Sequence, residues 1–61
     1  MSKYIVQITI GNKVSNGCYR DTFNTLSEVR LYCSLKGSSG DLVTILRNGD
    51  CLANAINLVI P

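Results

Sequence analysis

Residues 25–37 read TLSEVRLYCSLKG, a helix marked at both ends and set between runs that read as strands, and this stretch decides the fold. Thr25-Leu26-Ser27-Glu28 has the spacing of a capping box. In that motif the threonine oxygen accepts from a first-turn amide and the glutamate reaches back to the amide of the cap residue. Lys36-Gly37 predicts the stop, because lysine complements the carbonyl end of the helix dipole and glycine takes the left-handed conformation without a Cβ penalty. The expected element starts near Leu26 and runs about three turns. At about 100° per residue, Leu26, Val29, Leu31, Tyr32, Cys33 and Leu35 sweep well over half the circumference, leaving Ser27, Arg30 and Ser34 on a narrow polar side. A helix on one sheet face needs a narrower apolar stripe. The surplus flank, carrying Leu31 and Leu35, is therefore expected to meet another subunit or a partner.

Upstream, Tyr4, Val6, Ile8 and Ile10 alternate with Ile5, Gln7 and Thr9, a β-branched pattern that suits a strand with one well-buried face. Gly11-Asn12 and Asn16-Gly17 are both turn dipeptides, so the chain reverses in that interval and returns through Cys18 to Phe23. Either dipeptide can form the tight turn, the other being a bulge. Downstream, Ser38-Ser39-Gly40 is a short connector that Asp41 ends before the strand-like run Leu42-Val43-Thr44-Ile45-Leu46. Asn48-Gly49 predicts a type I′ turn, with positive φ at both positions, and an antiparallel return from Cys51. Leu52, Ile56 and Val59 fit helical spacing, but Leu52, Asn54, Ile56, Leu58 and Ile60 alternate as a strand, and the preceding turn favours the strand. The order ββαββ points to one α+β domain over residues 1–61. It is expected to have a small antiparallel sheet of about four strands with one helix packed on one face.

Composition says what chemistry to expect. With 61 residues, 46% of them apolar, the chain is short enough to bury only about 60% of the surface exposed when unfolded. The remainder is expected to be hidden by self-association, as a homodimer or higher oligomer, or by another protein. There is no histidine to serve as a base, and the four carboxylates each have a structural position: Asp21 beside Arg20, Glu28 in the helix cap, Asp41 before a strand, Asp50 in a turn. No enzyme activity and no cofactor are expected. Cys18, Cys33 and Cys51 lack the close pairing that a tetrahedral metal site uses, so no metal is expected. Their odd number suggests free thiols in a reducing compartment, the cytoplasm. The apolar stretch Tyr4–Ile10 is too short and too polar for a secretory or membrane segment.

Two sets of binding residues stand out. Tyr19-Arg20, an adjacent aromatic and basic pair of residue types enriched at binding hot spots, joins Leu31 and Leu35 as a candidate protein interface. Alternatively, Lys13, Arg20, Lys36 and Arg47, with Ser38 and Ser39, would contact nucleic acid or another anion. The formal net charge is +2, with interspersed signs and no basic run. Gly37-Ser38-Ser39-Gly40 is similar to the GxxG loop of the KH class of RNA-binding domains, which implies a clamp on a nucleic-acid backbone. In that class the loop joins two helices, whereas here a strand follows. A further variant is an oligomer that sequesters a nucleotide-like anion between subunits. Asn57–Pro61 would be a hazard as an exposed sheet edge and is expected to be covered by a second copy or by the helix, with Pro61 blocking further pairing. The functional expectation is a non-enzymatic interaction protein that oligomerises and binds or inhibits another macromolecule. In size and lack of catalytic groups it resembles the general profile of accessory proteins carried by phages and mobile elements, which implies a modulator of a host protein.

Overall fold

The most strongly alternating run becomes a central strand. In the computed structural model, which describes residues 2–61, β1 (Tyr4–Thr9) lies between β2 (Cys18–Phe23) and β3 (Leu42–Arg47), and β4 (Ile56–Val59) closes the far side. All neighbours are antiparallel, in the order β2-β1-β3-β4. Helix α1 (Leu26–Lys36) packs on one face, making the molecule an α+β fold in the order ββαββ.

The register sorts the side chains by face. Val6 stands opposite Asp21 and Ile45, and Ile8 stands opposite Tyr19 and Val43. Directly opposed residues share a face, so Tyr4, Val6, Ile8, Phe23, Val43 and Ile45 all lie under or beside the helix. Val6, Ile8, Val29 and Val43 form the buried centre, with Tyr4, Phe23, Tyr32, Cys33, Ile45 and Ile60 packed around it. Phe23 and Tyr32 tilt against each other with ring centroids 5.0 Å apart, which fastens the helix to β2.

The helix has the expected bounds, with two corrections at its ends. Thr25 Oγ1 accepts from the Glu28 amide (3.2 Å) and donates to Glu28 Oε1 (3.1 Å), so the carboxylate takes the cap hydroxyl's proton rather than reaching the cap amide. Gly37 is extended (φ −77°, ψ 148°), not left-handed. Its requirement is space: a Cβ there would stand 2.6 Å from the Cys33 carbonyl oxygen and collide with Ile60 Cδ1. The glycine lets the end of the chain cross the end of the helix.

The connections also depart from sequence expectation. Between β1 and β2 the chain makes two successive turns. Gly11 and Asn12 (φ 61° and 58°) form the first, closed by Lys13 N donating to Ile10 O, and Gly17 N donating to Val14 O closes the second. Asn48-Gly49 does not form a type I′ hairpin, since only Gly49 has positive φ. The Asn48 amide instead donates to Lys3 O, and its side chain donates to Ser2 O, both at 2.8 Å. The bond to Lys3 O extends the β1–β3 ladder by one rung, and the turn itself is closed by the Asp50 amide donating to Arg47 O (3.0 Å). A longer link through a single 3₁₀ turn at Leu52–Asn54 follows, and the final strand begins only at Ile56.

Candidate functional site

One helix cannot cover four strands. Strands spaced about 4.8 Å apart make this sheet wider than a helix of about 10 Å diameter, and α1 makes its main contacts with β1 and β2. On the helix side, β3 and β4 are left with an open apolar groove of about 610 Å³. Leu26, Arg30 and Cys33 form its helical wall, Val43 and Ile45 its floor, and Leu58 its outer rim. Arg30 is the one charged side chain among the described residues that line it. Leu58 is 57% exposed and Ile56 is 56% exposed, high for large apolar groups facing the inner side of a sheet.

Burial in the groove wall pushes the Cys33 thiol pKa up from its ordinary value. Burial also raises the Tyr32 hydroxyl on the other flank, with the negative charge of Asp21 adding to it. Both shifts favour the neutral forms, which suits surfaces that exclude water. Among the described residues, what lines this groove is mostly apolar.

The residues singled out from sequence do not converge. Tyr19 and Arg20 are neighbours on β2 and point to opposite faces: Tyr19 lies beneath the Lys36 ammonium, 5.8 Å from its ring centroid, while Arg20 borders a hollow on the far face with Ile5, Gln7 and Leu46. Leu31 and Leu35 are exposed, Leu35 at 74%, but they lie on the outer helix surface away from the groove. The expected four-residue patch is therefore not one surface. The basic set is also dispersed. Lys13 lies in the β1–β2 connection, Arg20 on the far face, Lys36 at the helix end, and Arg47 beside Lys3 at the opposite end of the sheet.

In the Gly37–Gly40 connector, Ser38 and Ser39 are exposed. The Ser38 amide donates to Asp41 Oδ2 (2.9 Å), and Asp41 Oδ1 accepts from the Gly11 amide (2.8 Å). Asp41 is buried and binds two loops together through its carboxylate. A loop amide that already serves an internal carboxylate is not available to a phosphate. Asp41 was legible as the start of a strand, but this clamp joins residues 30 apart in the chain and has no local signature.

No protein-family model, curated protein or solved structure matches this chain. What it does must be argued from its own surface. Leu26 and Leu58, exposed apolar residues that frame the groove, were missed as a set because they come from two distant segments. The one available signal was the charge-free run from Cys51 to Pro61.

Proposed function

We propose that this protein is a non-enzymatic interaction module that self-associates and binds another protein. The observation that supports this most is the half-covered sheet, whose groove is almost wholly apolar in a chain that leaves Leu26, Ile56, Leu58 and Val59 more than half exposed. Monomeric soluble proteins rarely leave contiguous apolar surface without a use for it. Arg30 on the rim supplies a polar anchor of a kind common at protein interfaces. The dispersal of the basic residues and the internal use of the Ser38 amide favour a protein partner over nucleic acid or a small anion.

Cys18 and Cys51 are exposed and Cys33 is half-buried, all three as free thiols, which supports a reducing compartment such as the cytoplasm. No helix among the described residues is long and apolar enough to cross a membrane. Small size and the absence of histidine fit an accessory protein of the phage or mobile-element type, acting by occupying a host protein's surface.

The test is affinity capture from the native cells with wild type and Leu26→Glu side by side. Leu26 is half-exposed, so the substitution leaves the core intact while charging the groove wall. A partner held by wild type and lost by the variant supports the proposal. Equal retention by both removes the groove from the function, and steep loss of a nucleic-acid partner with salt would replace this reading with the phosphate-binding one.

A further inference from the structure

The two edges of the sheet are built differently. On β2 the groups that point away from β1 belong to Cys18, Arg20 and Thr22, because Ile10 donates to Gly17 O and sets the alternation. This edge is guarded: Arg20 and Asp21 put charge on the strand, and the outward Thr22 amide is already taken by Asp21 Oδ1 at 2.8 Å. On β4 the amide of Ile60 donates to Asp41 O (2.9 Å), so Ile56, Leu58 and Ile60 turn their main-chain groups toward β3. Asn57 and Val59 turn theirs outward. No Lys, Arg, Asp or Glu occurs from Cys51 to Pro61, and nothing among the described residues covers this side of the strand.

We propose that the β4 edge pairs with β4 of a second copy of this chain, antiparallel about a two-fold axis at Leu58. This deepens the self-association part of the proposed function and rests on it. The register follows from which groups are free. Centring on Leu58 sets Asn57 opposite the partner's Val59 and uses both outward N–H groups and both outward carbonyls of each chain. Centring on Val59 would bring Asn57 against the partner's Pro61, which has no N–H to give. Centring on Asn57 would need the Ala55 amide, which already donates to Leu52 O (3.1 Å).

The side chains agree with that register. On the groove face, Leu58 meets the partner's Leu58, and Ile56 meets the partner's Ile60, so every cross-strand pair there is apolar and no charge opposes a like charge. The occupant is a second copy because the edge is neutral and self-complementary, while the charged β2 edge is not. On a molecule with 4385 Å² of surface, a standard interface of about 800 Å² per partner would take nearly a fifth. One four-residue edge with its flanking side chains covers less, so the expected dimer is reversible and forms in the micromolar range. The two-fold axis runs perpendicular to the sheet, placing both grooves on one face of an eight-stranded sheet.

The experiment combines mass and register. Sedimentation of the full chain across the micromolar range is expected to move from monomer to dimer mass. Val59→Pro removes one outward N–H while leaving the bonds to β3 untouched, and it should hold the chain monomeric with an unchanged circular dichroism spectrum. If that variant fails to fold, Val59→Lys, which charges the edge instead, should give the same monomer. With Cys18→Ser, Cys33→Ala and Cys51→Ser as background, Leu58→Cys should form an intersubunit disulfide under mild oxidation, since opposed residues at a non-hydrogen-bonded pair lie about 4.5 Å apart between Cα atoms. Ile56→Cys should not. A monomer at every concentration, or a dimer untouched by the residue 59 substitutions, overturns the pairing, and equal cross-linking at both positions overturns the register. Because Val59 also borders the groove, Leu26→Glu separates the two readings: it charges the helical wall and leaves the β4 edge untouched, so a dimer that survives it while partner capture is lost assigns capture to the groove and pairing to the edge.

Discussion

The two halves of the helix-side sheet surface have similar residue types and opposite fates. Over β1 and β2, α1 seals Val6 and Ile8 completely, and its Tyr32 tilts against Phe23 of β2. Over β3 and β4 only Val43 is sealed, and the same face carries Ile45, Ile56 and Leu58, with the last two more than half exposed. The difference lies in geometry, not hydrophobicity. An 11-residue helix has one stripe to bury, and it buries that stripe where Tyr32 can reach Phe23. Apolar content in a small α+β chain therefore indicates how much surface seeks cover, and helix placement decides which surface stays open.

The largest expected effect comes from setting one substitution in each half side by side. Ile8→Ala empties the sealed half and should cost about 2–5 kcal/mol, enough to unfold a chain of this size, whereas Leu58→Ala should cost about 1 kcal/mol or less at concentrations where the chain is monomeric. Urea unfolding monitored by circular dichroism checks both, and equal costs would mean the two halves are not different in kind. A smaller effect is expected where the chain end crosses the helix end, at Gly37. Gly37→Ala should destabilise by about 1–3 kcal/mol through overpacking against the Cys33 carbonyl and Ile60. This outweighs the gain of about 0.4–1 kcal/mol from stiffening the unfolded chain. Adding Ile60→Ala should recover part of the loss only, since the carbonyl cannot move without the helix, and full recovery would assign the glycine to the side-chain contact alone.

The smallest effect reads the groove wall chemically. Burial raises the Cys33 thiol pKa, so the folded state holds that proton more tightly than the unfolded state. Stability is then unaffected below the ordinary thiol value near 9.0 and falls as pH rises through it. Tyr32 extends the same fall above its ordinary value of 10.0. Alkylation by iodoacetamide should be slower at Cys33 than at the exposed Cys18 and Cys51. Mass spectrometry of the modified peptides gives the order, and equal rates at all three would show the groove wall to be as wet as the loops. A partner seated in the groove should slow Cys33 further without affecting Cys51.

The sequence determined what depends on neighbours along the chain. Thr25 and Glu28 set the helix start within one turn, alternation marked β1, turn dipeptides and an apolar run marked β2 and β3, and the uncharged segment Asn57–Pro61 stood out as needing cover. Local hydrogen bonds and side-chain periodicity act over a few residues, so they leave a local trace. Tertiary structure decided where those elements meet. It placed β1 and β3 at the centre, gave Asn48 a rung on the β1 ladder rather than a type I′ turn, made Gly37 a crossing point rather than a left-handed cap, and sent Tyr19 and Arg20 to opposite faces. It also gathered Leu26, Ile45 and Leu58 around one groove, because contacts between distant segments depend on the packing of whole elements, which no short window of residues records.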